Sequence, residues 1–350
     1  MDTSTNHLLQ QHNTGDTLSE YEAALYDRGI RVWGVDAQNR LRKAHVLFVG
    51  LTGQTAEACK NVTLSGVGRI TIIDSHTVTS TDLSLLLTDQ SIGQNVRSTL
   101  RAKASLESIK ELNPLVSVNI VERDVSTFDD EFIKQFTVVC VDGLDFQQQS
   151  ILNELCHRNS VSYLLNHSFG MRSFFFADHG HSFQYIVKKK KTTPNTNNKT
   201  TTDGKQPAAE EETEEIIEKV ARFASLKEML SSSWSKFPNR ISPIIFFIHL
   251  LNQYQINNNG KMATCKDVDA LVTLLEQENK KYNITPINKN TDFIKLMTRQ
   301  INAEIAPVCA IVGGVLGQEI VKIISRDNDP FNNIFLYDSL TGLGTVENIL

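Results

Sequence analysis

From residue 45 to 170, short apolar runs alternate with longer segments whose apolar positions recur every three or four residues. HVLFVG (45–50), RITIID (69–74), SVNIVERDV (117–125), TVVCVDG (137–143) and VSYLLNHSFG (161–170) are the short runs, and each predicts a strand. TVVCVDG is apolar nearly throughout, as befits a parallel strand buried on both faces. Gly53 to Leu64 predicts a helix ending at Gly66, and RAKASLESIKELN (101–113) a second helix stopped by Pro114. Ahead of them, residues 19–44 predict helix, with Leu25, Ile30, Val32, Trp33, Val35 and Leu41 as apolar contacts. FFFADHGHSFQYIV (174–187) predicts a hairpin or edge strands. Strands alternating with helices in this order predict an α/β fold, a doubly wound and mostly parallel sheet.

The pattern then breaks. Residues 188–215 contain no large apolar side chain, and this composition predicts a disordered linker. Beyond it, Ile216, Val220, Phe223, Leu226 and Leu230 stand at near-helical spacing, and SPIIFFIHLLNQYQI and DVDALVTLLEQENKKY predict further helices. Residues 216–300 are therefore expected to be an all-helical insertion. PVCAIVGGVLGQEIVKIISR predicts a helix of small residues, and NNIFLYDSLTGLGTVE a strand and turn. The expected organisation is a flexible tail (1–19), the first part of the α/β domain (20–187), the linker, the insertion, and a closing part (301–350).

Bulk composition narrows the function. The chain has 350 residues, 40% of them hydrophobic, and a net charge of −5, which gives no electrostatic reason to expect nucleic acid as a partner. The first residues lack the layout of a secretory signal, and the run IIFFIHLL (244–251) is too short to span a bilayer, so a soluble protein is expected. The five cysteines are scattered without a C-x-x-C pair, which argues against a zinc ribbon or a disulfide framework. Lys188–Lys191 form a basic run of the kind read as a nuclear signal, although a solvated charge run is the simpler reading.

The segment VLFVGLTGQTAE (46–57) is laid out as a strand leading into a phosphate loop. Such loops need several glycines, so that backbone amides can approach phosphate with no side chain between. Here there are two, Gly50 and Gly53, and Leu51, Thr52, Gln54 and Thr55 are expected to fill the pocket. Asp74, ending the second strand, stands where a ribose-binding acid would sit. That would suit a dinucleotide-dependent oxidoreductase, but the missing glycines disfavour a pyrophosphate in that reading as well.

Three segments together resemble enzymes that activate ubiquitin and its relatives: YDRGIRVWG (26–34), the opening strand–loop–helix–strand (45–74), and APVCAIVGGVLGQEIVKIIS with PFNNIFLYDSLTGLG (306–344). The resemblance implies a Rossmann-like adenylation fold interrupted by the helical insertion. It covers residues 20–187 and 300–346. Catalytic members hold ATP and magnesium with a G-x-G-G-x-G-x-E loop, a D-x-D and an N-x-N-R-Q run. Here Thr52 and Thr55 replace glycines, Asp74 is followed by Ser75 and His76, the run reads STDLSLLLTDQ (80–90), and Asp145 is followed by FQQQS. The resemblance thus implies a degenerate pocket at Gly50, Gly53 and Asp74, with no cofactor or metal bound by this chain. It points to the smaller, regulatory chain of a heterodimeric member, whose larger catalytic chain holds ATP and magnesium and acts on a modifier protein. Insertion size favours the SUMO-activating branch over the NEDD8 type, and the intact loop required by a self-sufficient ThiF/MoeB-like enzyme is missing. A nuclear location, with the cytoplasm as a second compartment, follows from that reading.

Arg28 is the candidate catalytic residue. In the family, the arginine of YDR reaches into the partner's ATP site, a task suited to a permanently charged planar fork. The alternative is a surface ion pair with Asp27 or Glu22, and Ile30, Val32 and Trp33 are expected to fix the segment. Cys265 lies in a plausible region for a thioester nucleophile, but an incidental role is favoured; Cys59, Cys140, Cys156 and Cys309 are expected in the core. Asp178, His179 and His181 are read as a turn, and Gly313, Gly314 and Gly317 as close helix packing.

Overall fold

The computed structural model describes residues 18–86, 96–193, 211–238, 240–282 and 291–349. Three short helices open it: α1 (Glu20–Leu25), α2 (Asp27–Trp33) and α3 (Val35–Lys43). Then follow β1 (His45–Val49), α4 (Gly53–Leu64), β2 (Arg69–Ile73), α5 (Arg101–Leu112), β3 (Ser117–Ile120), α6 (Asp130–Ile133), β4 (Val138–Val141), α7 (Phe146–Arg158), β5 (Ser162–Phe169), β6 (Arg172–Asp178) and β7 (Phe183–Thr193). The chain continues through β8 (Glu211–Ala221), α8 (Leu226–Ser231), α9 (Pro243–Asn257), α10 (Val268–Tyr282), α11 (Thr291–Arg299), α12 (Ala306–Ser325), β9 (Ile334–Asp338) and β10 (Leu343–Glu347).

Eight strands form one sheet in the order β10-β9-β6-β5-β4-β1-β2-β3. The run from β3 to β5 is parallel, and β6, β9 and β10 extend it with antiparallel pairings. The doubly wound, mostly parallel sheet is as the alternation predicts. Successive side chains point to opposite faces of a strand, so β1 divides between two cores. Leu47 and Val49 face the core under α7 and α9; Val46 and Phe48 face the core under α4 and α12.

Leu226, Trp234, Phe247, Leu271, Leu275 and Met297, from the helical segment, belong to the same core as Leu47 and Val141. These helices therefore form a covering layer of the sheet. α12 is apolar enough over 20 residues to pass for a membrane span, yet two-thirds of its apolar window is buried against the sheet and α4.

One stretch departs from expectation. β7 and β8 pair as a separate two-stranded ribbon, with Lys189 opposite Glu215 and Lys190 opposite Glu214. Composition read 188–215 as linker and 216 onward as helix. The root of the ribbon packs Phe183 and Tyr185 into the α4–α12 core, and farther out the two strands satisfy each other's backbone groups, with the register setting Lys189 opposite the charge of Glu215. The stretch 194–210, most of the N-terminal tail and positions 87–90 lie outside the described residues.

Gly313 and Gly317 let α12 lie directly on α4. A Cβ on Gly313 would come within 2.6 Å of the Gln54 carbonyl oxygen and of Glu57 Cβ, and one on Gly317 within 2.8 Å of Asn61 Cβ. A Cβ on Gly314 would meet no described residue of another element within 4 Å. Gly313→Ala should therefore cost about 1–3 kcal/mol by overpacking, whereas Gly314→Ala should be neutral or gain up to about 1 kcal/mol in helix propensity. Urea unfolding midpoints of the two variants check this; equal midpoints would contradict the packing.

Candidate functional site: a phosphate loop filled by carboxylates

β1 delivers the chain to Gly50 at the carboxyl end of the parallel strands, where α/β folds bind nucleotides. Gly50 has φ of +81°, and a Cβ there would stand 2.1 Å from the Asp142 carbonyl oxygen, so the sharp turn requires glycine. The side chains after it do not fill the cleft, contrary to the sequence reading. Leu51 is fully buried in the α4–α12 core, Gln54 bonds the Phe174 carbonyl and the Ser173 hydroxyl, and Thr55 faces Asn166. Bulk at these positions fastens the loop to β5 and β6.

Carboxylates occupy the amides instead. The Leu51 N–H donates to Asp74 Oδ2 at 2.7 Å, and Asp74 Oδ1 also accepts from the backbone and the ring of His76. At the start of α4, Gly53 N–H donates to Glu304 Oε1 at 3.0 Å. That amide is at the positive end of a helix dipole, where a phosphate would be held. The Thr52 hydroxyl donates to Asp142 Oδ2 at 2.7 Å, and His167 Nδ1 lies 2.8 Å from Asp142 Oδ1. The adjoining cleft, about 480 Å³, is lined by Asp74, Glu122, Asp124, Asp142 and Asp145 against Arg123 and His76. Asp145 also caps α7, accepting from Gln148 N–H, which accounts for FQQQS after it. A polyphosphate would meet acceptors at the loop amides and negative charge along the wall. The residues present do not fit ATP with magnesium.

The charges are tuned accordingly. Burial alone would raise the pKa of Asp74, but hydrogen bonds from His76 and the Leu51 amide outweigh it and hold the group below its usual range. Glu304 moves the other way: burial first, then the neighbouring Asp142 carboxylate, pushes it up to about 7. For His167, burial opposes the charged ring, yet Asp142 draws its pKa above the ordinary value.

Of the expected site residues, the fold gathers Gly50, Gly53 and Asp74 here. Arg28 is elsewhere, exposed on α2 at the mouth of a groove of about 620 Å³ shared with Leu64, Gln318 and Lys322. The carboxylates offered as its alternative partners are engaged by others: Asp27 by Arg31 at 2.9 Å and Glu22 by Arg42 at 3.0 Å. Among the described residues, no ion pair holds the Arg28 guanidinium. Val32 is 76% exposed and cannot anchor the segment. Tyr26 does, buried beneath Gly66 with its hydroxyl accepting from Asn113 Nδ2 at 2.9 Å.

Cys265 is exposed; Cys59, Cys140, Cys156 and Cys309 are buried. Burial pushes the Cys59 and Cys309 thiols up to about 12 and those of Cys140 and Cys156 higher still, which removes them as nucleophiles. Asp142, His167 and Glu304 were not legible as a set. The Gly53–Glu304 bond spans 251 positions, and no local motif marks it.

The family model that matches is the ThiF family, over residues 26–349. The chain belongs to the ThiF family. It is 37% identical to "SUMO-activating enzyme subunit 1" of Dictyostelium discoideum, over 95% of each chain. To the proteins of the same name from Rattus norvegicus and Homo sapiens it is 33% and 32% identical, covering 94% and 97% of this chain and 95% and 99% of theirs.

For Glu304 the sign is set by its raised pKa. The fold favours the protonated acid, so that contribution is complete below pH 4.5 and lost as pH rises through about 7. Glu304→Gln keeps the acceptor and drops the charge. It should raise stability by about 1–2 kcal/mol at pH 8 and by little at pH 4.5. Thermal unfolding of both proteins across this range checks it; a gain independent of pH would refute the assignment.

Proposed function

We propose that this chain is the non-catalytic subunit of a heterodimeric SUMO-activating enzyme. A larger catalytic partner holds ATP and magnesium, adenylates the SUMO-type modifier and carries the thioester. This chain supplies a matching half of the fold and reaches Arg28 into the partner's site. The nucleus, with the cytoplasm as a second compartment, is the location that accompanies this role.

The observation that carries the reading is the Glu304 carboxylate on the first amide of α4, backed by Asp74 and Asp142 at the same loop. A loop whose amides are satisfied by its own acids is built to hold its shape without a nucleotide. The relatives of nearly equal length named for SUMO activation supply the enzyme class. Arg28 adds support through its setting. A guanidinium on a helix fastened by Tyr26, exposed and without a carboxylate on it, is free to meet phosphate oxygens across an interface. It would act by stabilising charge that builds on the phosphates as pyrophosphate departs.

Two measurements on the purified heterodimer test this. Arg28→Ala should slow ATP–pyrophosphate exchange about a hundredfold, the loss of one charge-assisted contact of about 2–4 kcal/mol, while the complex still assembles by size. Arg28→Lys should recover part of the rate, since it keeps the charge without the fork. Unchanged exchange in an assembled Arg28→Ala complex would sink the role in trans. In the same preparation, Cys265→Ser should form the modifier thioester at the wild-type rate. Loss of the adduct would move the nucleophile into this chain.

A further inference from the structure

We propose that His157 and His181 form a binding site for a divalent transition-metal ion of the zinc class at the root of the β7–β8 ribbon. His157 lies in the last turn of α7, and His181 in the turn between β6 and β7. Their Nε2 atoms face each other at 2.9 Å, with ring planes at 85°. Zinc–imidazole bonds of about 2.0–2.1 Å in tetrahedral geometry place two ligand nitrogens about 3.3 Å apart. A small rotation of His181, which is exposed, opens the pair to that spacing.

Behind His157 stands the outer support such a ligand needs. Its Nδ1 is 2.8 Å from Asp178 Oδ2, so the ring's proton belongs on Nδ1 and the Nε2 lone pair points outward. Asp178 is buried at 1% exposure and held in place by Asn153 Nδ2 at 2.8 Å and Gly180 N–H at 2.9 Å. A carboxylate fixing the tautomer and orientation of a ligating imidazole is the usual arrangement at zinc sites. Without metal, His181 must donate its Nε2 proton to His157; on binding, that proton moves to His181 Nδ1 through solvent, and both Nε2 lone pairs serve the ion.

Among the described residues, no group of three His, Cys, Asp or Glu side chains stands at metal-binding distances. The first shell is therefore two imidazoles completed by water. Occupancy would join the turn after β6 to α7 and fix the base of the ribbon.

The test is calorimetric titration of zinc sulfate into the full-length chain after treatment with a chelator, with cobalt(II) absorption as a second probe. The expected result is one ion tied to this pair, binding at least about tenfold weaker in His181→Ala and His157→Gln. Zinc should raise the melting temperature of the wild type and leave that of His181→Ala unmoved. His181 is exposed, so its removal leaves the fold intact. Equal zinc affinity in wild type and His181→Ala, or no binding by the wild type, would overturn the proposal.

Discussion

Helix α12 lies against α4 at glycine distance, and the site exists because of that contact. Gly313 and Gly317 bring the closing helix onto the helix that follows the phosphate loop. The stretch just before α12 is thereby carried to the mouth of the loop, where Glu304 reaches the Gly53 amide. The small residues of the closing segment are thus part of the electrostatics of the loop as well as of its packing. With a bulkier face on α12 the helix would stand off, and the positive end of α4 would be left without this acceptor.

That arrangement gives the loop amides acceptors from within the chain. A phosphate site keeps donors unsatisfied until the ligand arrives. Here Leu51 and Gly53 amides already have carboxylate acceptors, and Thr52 is turned onto Asp142. Crowding acids together has a cost, visible in the raised pKa of Glu304. His167 moderates it through Asp142, and its other ring nitrogen is 3.1 Å from the Ile301 carbonyl, tying β5 to the same pre-α12 stretch.

The sheet was legible from the sequence because burial on both faces leaves near-continuous apolar strands, as in TVVCVDG, and because Pro114 and the glycine at 66 mark helix ends. The ribbon was not, since Lys188–Thr193 and Glu211–Glu215 carry no apolar period and take their order from pairing with each other. The missing glycines of the loop are plain in the sequence, but the expectation that its side chains fill the cleft does not hold. Leu51, Gln54 and Thr55 face inward, and which way a loop side chain turns is decided by tertiary contacts. Glu304 and Asp142 were hidden for the same reason. Tyr26 was overlooked as an anchor because its partners, Gly66 and Asn113, lie far along the chain.

The pairing of α4 with α12 also sets an order of events during synthesis. Residues 53–64 leave the ribosome about 250 positions before the helix that covers them. Until residues 306–325 emerge, Ala58, Cys59 and Val62 have no α12 face to pack against. A contact of such sequence separation closes late and slowly, so the half-made chain presents an apolar helix face and open sheet during translation. Such surfaces are what chaperones shield. A truncated product lacking its last 50 residues would expose the same face permanently, so the closing segment acts as the seal on which the finished domain depends.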